Sequence, residues 1–226
     1  MTTQEFSNEF DTLLNSYYSQ IIPGEQFSKA DLVLDEYEKS VFLTQAQEDI
    51  VLGLYNGTLN GEPFESTEIS RRYLDKLIKV SKPSLNNNTS IKLSNSSYIY
   101  NLPKDLWLIT YEHLISESKI IEVIPIKQDD WHRIKNNPFK GPNNKRAVRL
   151  DIGNNTVEVI SIKEPSEYLI SYLSKPKPII LEDLPEDLSI NDNSEENTCE
   201  LHESLHRLIL ERAVQLAISR VSKASK

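Results

Sequence analysis

The 226-residue chain contains one cysteine, Cys199, one methionine and six glycines. A single cysteine cannot form an internal disulfide, so packing alone must hold the fold, and synthesis in a reducing compartment is expected. There is no G-x-x-x-x-G-K-[ST] loop, no G-x-G-x-x-G fingerprint and no G-x-S-x-G elbow, which excludes the common backbone cradles for phosphates and the usual strained serine nucleophile. No stretch approaches the ~20 apolar residues of a membrane-spanning helix. The opening MTTQEFSNEFDTLL also lacks the basic start and apolar run of a secretory signal, so a soluble product is expected. Acidic neighbours should raise the pKa of Cys199 and make it a poor nucleophile.

Positive charge is also scarce: 25 Lys and Arg stand against 34 Asp and Glu, a net charge of −9. That balance argues against a general nucleic-acid or membrane binder, but the charges are segregated. Between Glu182 and Glu203 there are nine carboxylates and no Lys or Arg, whereas between Trp131 and Arg149 there are six Lys or Arg and no carboxylate. With 38% hydrophobic and 26% charged residues the chain is globular, large enough for one large or two small domains.

Periodicity divides the chain. Residues 1–82 read as helical: Phe6, Phe10, Leu13, Leu14 and Tyr17 share one face of a first helix. A second helix from Asp35 places Tyr37, Val41, Ala46, Ile50 and Leu54 at helical spacing, and a third from Ser66 or Thr67 carries Ile69, Tyr73, Leu77 and Ile78. Residues 83–181 are β-rich. Six runs, "SSYIYNLP", "DLWLITYEH", "KIIEVIPI", "KRAVRLDIG", "TVEVISIKE" and "EYLISYLSKP", are short, rich in Ile, Val and Tyr, and bounded by Pro, Gly and Asn. Asn154-Asn155 is a candidate hairpin turn, and Asp129 a candidate cap for a short helix through Trp131. The expected class is α+β: an N-terminal helical bundle, a mostly antiparallel sheet of four to six strands with a basic loop at 131–149, an acidic linker at 182–200 and an amphipathic helix at 201–226.

That last helix carries the pattern H-E-x-x-H at His202, Glu203 and His206. On a helix, residues at i and i+4 share a face, so two imidazoles could hold Zn²⁺ while the intervening glutamate activates its water. The third ligand usually lies downstream, yet after His206 there is no His or Asp and Glu211 is the sole carboxylate, rotated away from the pair. The same residues are explained by an apolar stripe through Leu201, Leu205, Leu208/Ile209, Ala213, Leu216/Ala217 and Val221, capped by Asn197 or Thr198. A zinc metallopeptidase remains the enzymatic alternative.

The basic segment admits two readings. Trp131 and Phe139 among cations could stack the bases of single-stranded nucleic acid in a monomeric binding module. Alternatively, the segment docks on an acidic neighbour such as residues 182–203 of a second copy in a ring, a heterologous contact.

Three blocks, "DEYEKSVFLTQAQEDIVLGLYNG", "WHRIKNNPFKGPNNKRAVRLD" with "VEVISIKEPSEYLISYLSKPKPIILEDL", and "CELHESLHRLILERAVQLA", together resemble virion structural proteins of crAss-like tailed phages, in particular neck ring or head-to-tail adaptor proteins. The resemblance covers most of the chain. In it, Asn137, Pro138, Phe139, Gly141 and Pro142 match the family's loop, Pro176, Pro178 and Ile179 to Leu181 its extended segment, and His206 its terminal helix. His202 stands where that family has Pro, which makes H-E-x-x-H the accident of one substitution. The resemblance implies a non-enzymatic homo-oligomeric ring, twelvefold like the portal it would adjoin, with the portal protein and adjacent neck or tail rings as partners. It implies no cofactor, no membrane, passage of double-stranded DNA through the channel without specific binding, synthesis in the host bacterial cytoplasm and a final place in the virion neck or tail. Candidate interface residues are Trp131, Arg133, Lys135, Asn137, Pro138, Phe139, Lys140, Lys145, Arg146 and Arg149 in the basic segment, Pro176 and Pro178 in the extended segment, and Leu205, Ile209 and Leu216 on the terminal helix.

Overall fold

A computed structural model describes residues 1–21, 34–59, 61–86, 92–185 and 187–224. The class is α+β, with helices towards both ends of the chain and one eight-stranded sheet between them. Two compact units result, Met1–Lys76 with Pro176–Lys226, and Leu77–Lys175.

The first unit is built on three helices. In α1 (Thr3–Ile21) the expected stripe holds: Phe6, Phe10 and Leu14 are buried, with Leu13 and Tyr17 at its edges. α2 (Glu36–Tyr55) starts at a capping box, in which the Glu38 amide donates to the Asp35 carboxylate at 2.7 Å and the Asp35 amide donates to Glu38 at 3.2 Å. More of α2 is buried than one stripe predicts, including the polar Ser40, Thr44 and Gln47. These three stand at i, i+4 and i+7, on one face, and serve the backbone of the extended segment beside them. The Ile179 amide donates to Thr44 Oγ1 at 3.1 Å, the Leu181 amide to Ser40 Oγ at 3.0 Å, and Gln47 Nε2 to the Lys177 carbonyl at 2.8 Å. Pro176 and Pro178 bring no N–H to satisfy, so the P-x-P-I-I-L element can be buried against a helix without a strand on that side.

α5 (His206–Ala224) packs on α1 and α2 through Ile209, Leu210, Ala213, Val214 and Ala217, all buried. It begins five residues later than expected. A 3₁₀ turn, Glu203–Leu205, precedes it and is capped by His202, whose Nδ1 accepts from the Ser204 amide at 3.3 Å. The described residues of 182–200 do not run as a free tether. Ile180 and Asn197 exchange backbone hydrogen bonds at 2.9 and 3.0 Å, Leu184 donates to the Ser194 carbonyl at 2.8 Å, and Asn191 and Asp192 turn the chain with positive φ. Thr3 Oγ1 donates to Glu196 at 2.6 Å, fastening this acidic lobe to the first turn of α1.

Cys199 is buried at the end of the lobe, and burial pushes its thiol up to about 11. Its reaction with Ellman's reagent is therefore expected to be slow in the native protein and complete in denaturant; rapid native labelling would show that the lobe opens.

The third helix is shorter than expected. α3 (Glu68–Tyr73) leaves Ile69 exposed, and Ile78 opens a strand instead of extending a helix. Sheet pairing claims that segment: β1 (Ile78–Ser81) runs antiparallel to β8 (Glu167–Ser174). The sheet order is β1-β8-β4-β5-β6-β7-β3-β2, where β2 is Ser84–Leu85, β3 Ser97–Asn101, β4 Leu106–Ser116, β5 Lys119–Pro125, β6 Arg146–Gly153 and β7 Thr156–Ile160. The six expected strands are β3 to β8. Every pairing is antiparallel except β5 with β6. Asn154 and Asn155 form the predicted turn with φ of 51° and 52°, which asparagine tolerates. Glu117-Ser118 makes a second turn of that kind between β4 and β5 without the usual asparagine or glycine.

Candidate subunit interface

Parallel neighbours cannot be joined by a hairpin, so the β5–β6 pairing requires a crossover, and that crossover is the basic segment. Its first anchor is Trp131, which opens α4 (Trp131–Ile134). At 6% exposure it is packed with Val148 and Leu150 of β6, Ile160 of β7 and Ile126. Asp129 makes no side-chain cap here: the turn before α4 and α4 itself both start without one.

Beyond α4 the loop is fixed from within. Asn137 Oδ1 accepts from the Phe139 amide at 2.9 Å and the Lys140 amide at 3.1 Å, and its carbonyl accepts from the Gly141 amide at 2.7 Å. A Cβ at Gly141 would lie 2.6 Å from the Ile134 carbonyl oxygen and 2.7 Å from that of Asn137, so only glycine fits. Asn143 donates to the Arg146 carbonyl at 2.8 Å and accepts from the Lys145 amide at 2.8 Å through Oδ1, while the Arg146 guanidinium donates to the Phe139 carbonyl.

What this scaffold presents is an aromatic ring among cations. Phe139 is 83% exposed, and Pro138, Lys135, Lys140 and Lys145 are exposed around it. None of these three lysines has a carboxylate within ion-pair distance among the described residues; Arg133 has Asp130 at 3.5 Å. Asn137 and Arg146 hold the loop's shape and are only partly exposed.

Other candidates lie inside. Trp131 is a core residue, so it cannot stack a base, and the nucleic-acid reading loses its better platform. Arg149, 8% exposed, sits 3.1 Å from Glu112 and 3.4 Å from Asp151, and Tyr168 donates to the other Glu112 oxygen at 2.6 Å. Burial is the main influence on Glu112 and raises its pKa, with Arg149 pulling the other way. Strand alternation could have suggested this inward arginine, since Ala147 and Arg149 must share the face opposite Val148 and Leu150. Pro176, Pro178, Leu205 and Ile209 are buried within the first unit and Leu216 is half-buried, so the terminal helix offers little of its stripe to another molecule.

The H-E-x-x-H residues are not arranged as the zinc mechanism needs. Because α5 starts at His206, the two imidazoles do not share a helical face. The buried His206 ring contacts the Leu201 carbonyl at 3.2 Å and the Met1 amino group at 3.0 Å, and packs on Phe6, while His202 packs on Tyr73. Among the described residues no three His, Cys, Asp or Glu side chains gather as a metal-holding group.

The sheet thus carries a cationic loop, fixed by its own hydrogen bonds, with an exposed aromatic at its tip. Over residues 1–226 the chain matches the family described as phage tail ring protein 3/4, and it belongs to that family. It is 45% identical to ring protein 3 of Bacteroides phage crAss001, over 96% of this chain and 95% of that protein. It is 35% identical to ring protein 4/5 of the same phage, over 96% and 92% respectively. It is a virion structural ring protein of a crAss-like phage.

Proposed function

We propose that the chain is a non-enzymatic subunit of a ring in the neck, the head-to-tail connector that joins portal to tail and frames the channel through which the genome leaves. The ring is a homo-oligomer matched to a twelvefold portal, with the portal and adjacent ring proteins as its neighbours, and it is made in the host cytoplasm. The observation that carries this reading is the Phe139 loop: an exposed aromatic with unpaired lysines, held rigid by its own backbone, is what a protein interface uses as an anchor and rim. The net charge of −9 supports DNA transit, because an acidic wall does not retain phosphates.

Native mass spectrometry of the full chain, in low salt with zinc present, with and without the portal protein, tests it. A closed, metal-free oligomer of about twelve copies is expected. A monomer holding one zinc through His202 and His206 would replace this reading with the peptidase, and a metal-free monomer that ignores the portal would end it.

A further inference from the structure

Two surfaces of the chain carry opposite, unspent charge. On the second unit, Lys135, Lys140 and Lys145 surround Phe139 without an ion-pair partner among the described residues. On the first unit, Glu182, Asp187, Asp192 and Glu195 of the acidic lobe are exposed and likewise unpaired among the described residues. The lobe's turn is tied to α2, where Asn191 Nδ2 donates to Glu48 at 2.9 Å.

One residue further along α2 lies the rim of an open groove of about 410 Å³ between α2 and α5, with Ile50, Gly53, Leu59 and Leu208 among its lining residues. Leu59 and Leu208 are exposed apolar side chains, and Leu59 can lie close on α2 because Gly53 has no Cβ. Asp49 and Arg212 close one side as an ion pair at 2.8 Å. The first unit therefore has a groove in which Leu59 and Leu208 offer apolar surface among the polar Asp49, Glu211 and Arg212, with an acidic turn tied to the same helix, the counterpart of an aromatic ring among lysines.

The geometry points to a head-to-tail contact in which Phe139 of one copy seats in the α2–α5 groove of the next, with Lys140 and Lys145 against the lobe of that copy. This rests on the ring reading and names its partner surface. The two surfaces differ and belong to different units, so the contact is heterologous, the kind that propagates from copy to copy and closes a ring. Charge steers and registers the approach, and the buried aromatic supplies the anchor.

The test uses two full-length variants, Lys140→Glu/Lys145→Glu and Asp187→Lys/Asp192→Lys, followed by native mass spectrometry and sedimentation velocity. Each alone is expected to associate at least ~10-fold more weakly than wild type, because the two reversed side chains then meet groups of their own sign across the contact. Mixed in equal amounts they should recover assembly as strictly alternating, even-numbered oligomers, which also shows that both variants are folded. Phe139→Ala and Leu208→Asp should each weaken wild-type assembly by a similar factor. A wild-type ring that both charge reversals leave intact, or a mixture that fails to recover, overturns this contact and leaves the ring reading standing. A wild-type chain that stays monomeric with and without portal overturns both.

Discussion

Replacing Arg149 by leucine is expected to destabilise the protein by about 3–5 kcal/mol, because it strands the Glu112 carboxylate in the sheet interior. Glu112 is 5% exposed and keeps only the Tyr168 hydroxyl as donor once the guanidinium is gone. The loss should depend on pH in a defined direction. Burial already holds the Glu112 pKa above its ordinary value with Arg149 present, and removing that cation raises it further. A carboxyl whose folded pKa is raised favours the fold while protonated and disfavours it as pH climbs through that pKa. The variant's deficit should therefore be greatest at neutral pH and shrink in the acid range. Urea unfolding across that range measures it, and Arg149→Leu/Glu112→Gln should recover a large part at neutral pH. A deficit below ~1 kcal/mol, or one that grows on acidification, would mean that water reaches the pair.

The same residue shows what one sequence reveals and what it hides. Short runs rich in Ile, Val and Tyr and bounded by turn residues coincide with six strands, because β propensity and turn chemistry are local information. The basic character of 131–149 was equally visible. Which of its cations face solvent was not, since that depends on β6 lying between two covered faces: Ala147 packs in one core cluster, Val148 and Leu150 in another. Ile78 fits a helical period in the sequence but pairs with Leu173 of β8, about 95 residues away, a contact that local spacing does not carry. The lobe at 182–200 read as a linker by composition alone. It is ordered by backbone pairs and by bonds from Thr3 and Asn191, and long-range pairing of that kind leaves no periodic trace.

The extended segment makes a related point about family resemblance. Its Pro-x-Pro pattern was the more recognisable feature, but the chemistry that buries it sits on α2, where Ser40, Thr44 and Gln47 look like weak points of an apolar stripe. Polar residues at i, i+4 and i+7 facing a proline-bearing segment are a joint signal, and neither half is informative alone. H-E-x-x-H is the converse, a pattern legible in isolation whose meaning depends on where the helix begins.

The two aromatics of the crossover should separate the loop's construction from its use. Trp131→Ala removes a large side chain from a closed cluster on β6 and β7 and is expected to cost about 3–5 kcal/mol. Phe139→Ala alters a ring that is 83% exposed and should leave stability within ~0.5 kcal/mol of wild type. Thermal unfolding measures both. In assembly the order changes: Phe139→Ala should weaken association in a chain that melts normally, whereas Trp131→Ala should weaken it only by lowering the folded fraction. Lowering the temperature would therefore restore association to Trp131→Ala as its folded fraction rises and would not restore it to Phe139→Ala. If Phe139→Ala melts early, or if Trp131→Ala is as stable as wild type, the aromatic that anchors the loop and the aromatic that it presents have been assigned the wrong way round.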